Sequence, residues 1–385
     1  MPDIINLLIK NPEKHYNFRI QNWLPWCPKE NIFEVSNEII NHGSELQKKD
    51  FAWTFGMFSK LFNSKAQCLE MIRKVYNLPL EISSCIIDNL GFLYNDLGKP
   101  QEIIDLICNY DVGNSGKLLE DLLQNFHTTY GVDIRQLSPE QTEQIIKKIE
   151  RIDEFNREYW IINTLNILAE INLQKVIDCL LGRIKASIGK REDGNYRPFP
   201  YISSSSPKEV VLNSPDYIIC LKKILDFSIK NQQWQSFFWC PKLVVWLDPK
   251  FTQTTKHLLL SLLDDNNIII ITDIFAEYER EIFFDNNEFA EKLLEKSHRL
   301  PEKVRDKVFS KISFLPFSGM QDVSGLGEHD TLATKVITLC EEKLKDTSLK
   351  QYLKEFYINL KKFAEGEDKR KLERDKLELE EEEWG

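Results

Sequence analysis

The 385-residue chain has only 15 glycines and 15 prolines. A turn-rich all-β fold needs such residues at every hairpin, so that class is excluded. The 8 cysteines, Cys27, Cys68, Cys85, Cys108, Cys179, Cys220, Cys240 and Cys340, are scattered singly, with no Cys-x-x-Cys pair. A disulfide framework is not expected at this length, and a zinc site lacks its ligand pairs. The thiols read as small buried hydrophobes in a reducing compartment. The longest aliphatic run, Ile268–Ile271, is far too short to span a bilayer. No basic stretch followed by an apolar core and a small-residue cleavage site opens the chain, so no leader peptide is expected. Together these absences predict a cytoplasmic protein with no membrane partner.

Catalytic signatures are missing as well. There is no Gly-x-Ser-x-Gly elbow and no His-Glu-x-x-His. Gly113–Leu118 approaches a phosphate loop, but its spacing is two residues short and the hydroxyl after the lysine is absent. It reads as the turn that starts a helix. His329-Asp330 is a dyad without further ligands, and Asp330 suits an N-cap. His257 and His298 stand alone inside helices. Asp264 and Asp265 are adjacent, share no helix face, and fit a turn between helices. No catalytic residue, metal or cofactor is therefore assigned, and a non-catalytic protein is favoured over an enzyme. The formal net charge of −10 disfavours nucleic acid as a partner through the overall field. Lys185, Lys190, Arg191 and Arg197 beside Tyr196 and Tyr201 keep nucleic-acid binding as the alternative, weakened by Glu192 and Asp193.

What the chain does contain is helical periodicity, clearest between Ser214 and Phe314. Ser214 is an N-cap with Pro215 at the first helical position. Tyr217, Leu221, Ile224 and Leu225 then share one face. Five more segments follow. One spans Gln235–Leu247, where Pro241 predicts an end or a kink. One begins after Asp248-Pro249, one carries Ile271 to Ile282, one carries Phe289 to Leu294, and one opens at Leu300-Pro301. Starts at Ser214, Asp248 and Asp285 alternate with starts after Trp234, Asn267 and Leu300, a period of roughly 35 residues. The half before it also reads as paired helices, with shorter spacing and more aromatics. Gly43 there suits a left-handed C-cap, Ser44–Phe62 reads as one helix carrying Phe51, Phe55, Phe58 and Leu61, and Pro79–Leu97 as another carrying Ile82, Ile86, Leu90 and Leu93. Ser138 and Gln141 suit a capping box.

The fold expected is all-α: stacked antiparallel helix pairs in an α-solenoid HEAT-like in shape, with an irregular multi-helix bundle as the alternative. The expected organisation is an N-terminal helical domain over 1–188 and a loop or linker over 189–207. A repeat region over 208–314 and an irregular loop over 315–329 come next, then helices over 330–365 and a charged, acidic tail over 366–385. Such a stack suits a protein-binding scaffold or adaptor. A regulatory subunit of a larger enzyme complex is a further alternative. The residues expected to touch a partner are Tyr196, Arg197, Phe199 and Tyr201 in the loop, and Trp384 after the acidic run.

Overall fold

The computed structural model describes residues 19–113, 115–126, 131–153, 155, 158–189, 196–200, 206–207, 210–318 and 331–383. Every regular element among them is helical, and they contain no strand. Contacts divide the chain into two compact units, Met1–Lys208 and Glu209–Gly385.

Unit 1 carries α1 (Ile20–Trp23), α2 (Lys29–His42), α3 (Glu45–Phe58), α4 (Lys65–Tyr76), α5 (Leu80–Ser83), α6 (Leu90–Asp96), α7 (Gln101–Asn109), α8 (Gly116–Leu123), α9 (Pro139–Glu150) and α10 (Glu158–Gly189). Asn172 has non-helical backbone angles and breaks α10 into two arms. Hydroxyl caps set several starts. Ser44 with Gln47 and Ser138 with Gln141 form capping boxes, and Ser64 and Ser115 accept from the third residue of their helices.

One row of helices begins at residues 29, 65, 101, 139 and 173, so successive starts lie 36, 36, 38 and 34 residues apart. The shorter spacing expected for this half is therefore wrong. Neighbours in the row are stitched by side chains one interval apart. Lys74 Nζ donates to Asn37 Oδ1 at 2.6 Å, and Arg73 pairs with Glu102 at 2.6 Å. Gln144 Nε2 donates to Asn109 Oδ1 at 3.0 Å, and Lys175 pairs with Glu143 at 3.3 Å. Between these helices lie α3, the stretch 80–96, α8 and the first arm of α10, which form a second row. Ile32, Phe51, Phe55, Ile72, Leu90, Ile107, Leu122, Ile145 and Leu168 are buried at helical spacing where the rows meet.

Two local features depart from sequence expectation. Gly43 is extended, at φ −65° and ψ 153°, because Ser44 must cap α3 at once. The glycine is needed for clearance instead: a Cβ there would lie 2.4 Å from the Ile39 carbonyl oxygen. The stretch 80–96 is also not one helix. A 3₁₀ segment, Ser84–Asn89, separates α5 from α6. Asn125, buried after α8, meets the end of this segment. Asn125 Oδ1 accepts the Gly91 N–H at 2.7 Å, while its Nδ2 donates to the Ile87 carbonyl at 2.9 Å. Those two groups would otherwise pair in an i→i−4 bond, so the side chain has inserted itself into the helical ladder.

Unit 2 carries α11 (Pro215–Lys230), α12 (Trp234–Leu247), α13 (Gln253–Leu262), α14 (Ile268–Glu277), α15 (Arg280–Asp285), α16 (Asn287–Ser297), α17 (Glu302–Phe314), α18 (Thr331–Leu344) and α19 (Gln351–Glu383). The fourth expected segment is split at Tyr278, giving α14 and α15. Pro241 lies inside α12 without ending it, next to the buried Trp239 and Cys240. α12, α14 and α17 start 34 residues apart, and α14 packs on both of the others. Lys242 pairs with Glu277, and Lys311 with the nearly buried Asp273. Tyr217 and Thr255 join α11 to α13 through hydroxyls 2.6 Å apart. The fully buried Asp248 accepts from Thr252 N and Thr252 Oγ1, both at 2.8 Å, and from the Thr255 hydroxyl. Phe251 has φ +50°, a strained value for a side chain that large. Its ring is held by Phe275, Tyr278 and Phe289, with centroids 4.8–5.4 Å away. At the end of the unit α18 and α19 form a hairpin. The charged stretch after Gly366, expected as a tail, continues α19 to Glu383.

Candidate interaction surfaces

The loop singled out from sequence packs on its own unit through one arginine. Arg183, in the second arm of α10, is only 2% exposed. Its guanidinium is flanked by Phe155, 4.4 Å from the ring centroid, and by Tyr196, at 5.2 Å. Nη1 donates to the carbonyls of Ile149 at 2.8 Å and Glu150 at 3.2 Å, and also to that of Ile152. Nε donates to Pro198 O at 2.9 Å and Nη2 to Arg197 O at 2.6 Å. The cation thus caps the carbonyl end of α9, where the helix dipole favours positive charge, and pins the loop to it. Burial pulls Arg183 below its ordinary pKa, yet a guanidinium starts so high that it stays charged.

This arrangement sorts the five expected contact residues. Phe199 is fully buried and has no surface to offer a partner, so its expected role is corrected to packing. Tyr196 is half-buried against Arg183. Arg197 is half-exposed, and pairs with Glu158 at 3.1 Å while its N–H bonds the Asp153 carbonyl at 3.1 Å. Tyr201 and Trp384 lie outside the described residues, as do Lys190, Arg191, His329 and Asp330.

A different surface emerges on the second row of unit 1. Leu46, Trp53 and Met57 are 51–62% exposed. They stand at i, i+7 and i+11 on α3, one helical face. Asn89 Nδ2 donates to the Trp53 carbonyl at 2.8 Å, and brings Phe92, one turn further on, beside the turn carrying Trp53 and Met57. Leu80, Phe92, Tyr159 and Ile171, also exposed, belong to the same row. The helices of the first row expose no large apolar side chain among the described residues. One row is therefore polar and cross-linked outside, and the other apolar. Sequence reasoning missed this face because it assigned α3 only the stripe Phe51, Phe55, Phe58 and Leu61, of which Phe51 and Phe55 are buried.

Two hollows lie in unit 2. One, about 380 Å³, opens where α16, α17 and α19 converge, with the His298 and Tyr352 rings stacked 4.5 Å apart on its wall. The other, about 500 Å³, follows the loop Ala276–Glu281 and Ser318. Asp264 does what a turn residue does: its Oδ1 accepts from Asn266 N at 2.8 Å and Asn267 N at 3.0 Å. Asp265 pairs with Lys296 at 2.7 Å. Among the described residues no three His, Cys, Asp or Glu side chains converge as metal ligands, and no helix is long and apolar enough to cross a membrane.

Burial pushes the thiols of Cys68, Cys108, Cys179, Cys240 and Cys340 up to about 12. Raised values leave almost no thiolate near neutral pH. Titration of the native protein with a thiol-exchange reagent at pH 8 should therefore label Cys85 first, the one cysteine that is not fully buried. The other seven should react only on unfolding; fast labelling of several in the native state would contradict this packing.

No protein-family model, no curated protein and no solved structure matches the chain. The functional reading therefore rests on the geometry of the molecule itself.

Proposed function

We propose that the protein is a non-catalytic, protein-binding scaffold built as a helical-repeat stack, and that it binds through the apolar second-row face of unit 1. The observation that carries this reading is the common interval of the described bonds between the layers of unit 1. Hydrogen bonds that tie successive layers of unit 1 join residues 27–42 apart, from Tyr110 with Ser83 to Tyr94 with Gln136. In unit 2 the Tyr217–Thr255 bond spans 38, whereas Lys350–Glu295 and Tyr357–Glu291, which tie the closing hairpin to α16, span 55 and 66. A bundle around one centre would also join residues a hundred or more positions apart. A stack in which each layer touches only its neighbours gives one interval. Such a stack buries one stripe of each helix and leaves the outer face of a whole row for recognition. An exposed face bearing Trp53, Met57 and Phe92 has the aromatic and methionine content of binding hot spots.

The test is affinity capture from the native cell with the wild-type chain and with Trp53→Glu/Met57→Glu. Both side chains are more than half exposed, so the melting temperature should stay within about 2–4 °C of wild type. Partners should drop out roughly tenfold or more, since a charge in an apolar contact costs several kcal/mol. An unchanged set of partners would remove this face as the binding site. Phe199 is left intact in that comparison, because truncating it would weaken the core.

A further inference from the structure

We infer that the hollow between α16, α17 and α19 receives an arginine side chain from a partner protein, an inference that rests on the scaffold reading above and gives it a chemistry. The wall is a flat aromatic stack: His298 and Tyr352 lie 4.5 Å apart with their planes 18° from parallel. A planar guanidinium stacks on such a surface better than a compact ammonium does. Leu294 and Phe309 supply apolar lining that suits the methylene stem of a long basic side chain. The mouth carries two exposed carboxylates, Asp306 and Glu355, against one cation, Arg305. Neither carboxylate is saturated. Asp306 meets Arg305 only at 3.6 Å, long for a charge-assisted bond, and Glu355 accepts from Gln351 Nε2 at 3.1 Å. Among the lining residues acids exceed cations by one, which favours a cation over a phosphate at the mouth, while Glu295, Lys350 and Arg299 act on the Tyr352 hydroxyl beside it. Its volume of about 380 Å³ exceeds what a bare metal ion or ammonium fills, and the Asn359 amide adds an acceptor for the guanidinium fork.

The source is committed to a peptide because free arginine brings an α-carboxylate into the same acidic mouth. The experiment uses the full chain and saturation-transfer NMR with N-acetyl-L-argininamide. Parallel titrations use N-acetyl-L-lysinamide, free L-arginine and adenosine monophosphate. Argininamide should bind in the millimolar range, with lysinamide and free arginine at least roughly threefold weaker and the nucleotide silent. In Asp306→Asn/Glu355→Gln its affinity should fall roughly tenfold, with the melting temperature unchanged because both side chains are solvent-facing. The inference is overturned by any of four results: no transfer to argininamide, transfer that survives in the double variant, nucleotide binding, or free arginine binding as well as the capped form. These titrations need no partner and probe unit 2, whereas the Trp53/Met57 capture probes unit 1, so each reading can fail without the other.

Discussion

Replacing Arg183 by methionine should destabilise unit 1 by about 3–5 kcal/mol, most of the stability of an ordinary domain. Exchanging a buried ion pair for apolar residues is often harmless, but only when both partners are exchanged. Here the partners are the backbone carbonyls of Ile149, Glu150, Ile152, Arg197 and Pro198, which no substitution removes. Methionine fills similar space and donates nothing, so these carbonyls lose the guanidinium; that of Ile149 keeps the Ile152 N–H, and each one left dry and unpaired costs roughly 1–3 kcal/mol. Arg183→Lys should rescue little, since one ammonium cannot reach acceptors on both α9 and the loop or sit between Phe155 and Tyr196. Urea unfolding followed by circular dichroism measures the loss. Limited proteolysis should show new cleavage around Tyr196–Pro200. A methionine variant within about 1 kcal/mol of wild type, with the loop still protected, would remove Arg183 as the tie between α9 and the loop.

Asn125→Ala should cost about 1–3 kcal/mol, because the Gly91 N–H loses its acceptor inside a buried layer, while the Ile87 carbonyl keeps only the Leu90 N–H. Asn125→Asp should be no better. It keeps the acceptor for Gly91 but turns an oxygen toward the carbonyls of Ile87, Asp121 and Leu122, which the amide now satisfies. The competing outcome is informative. If Gly91 and Ile87 closed an ordinary α-helical bond in the alanine variant, stability would be kept and helical circular dichroism would rise. That result would mean that Asn125 is not what holds the ladder open between Ile87 and Gly91.

Much of the fold was legible in the sequence because it is written in local terms. Ser138 and Ser214 each accept from the N–H groups they were expected to cap. The stripes Tyr217, Leu221, Ile224 and Phe289, Leu293 are buried as their spacing predicted. The misses depend on close approach and packing, which helical spacing does not report. Gly43 was assigned a left-handed cap because nothing local shows how closely the Ile39 carbonyl approaches. One helix was assigned over 79–97 because the spacing does not show Asn125, 34 residues beyond Gly91, entering the ladder there. Pro241 was expected to end or kink α12, and the helix runs on through it to Leu247. Arg183 had a visible signal that went unused. It falls in register with Val176, Leu180 and Ser187, which are all buried, so a helical wheel sets a charge among core positions.

The sequence by itself determined the all-helical class, most of the helix starts and the rise of a period near 35 residues, since capping and amphipathic spacing act within a few turns of chain. The tertiary structure alone decided which residues are free to recognise anything. It turned Phe199 of the loop into the core, stacked His298 on Tyr352, and left Trp53, Met57 and Phe92 outside. The physical reason is that exposure belongs to the pair of surfaces that meet: a greasy side chain carries the same local pattern whether or not another layer covers it.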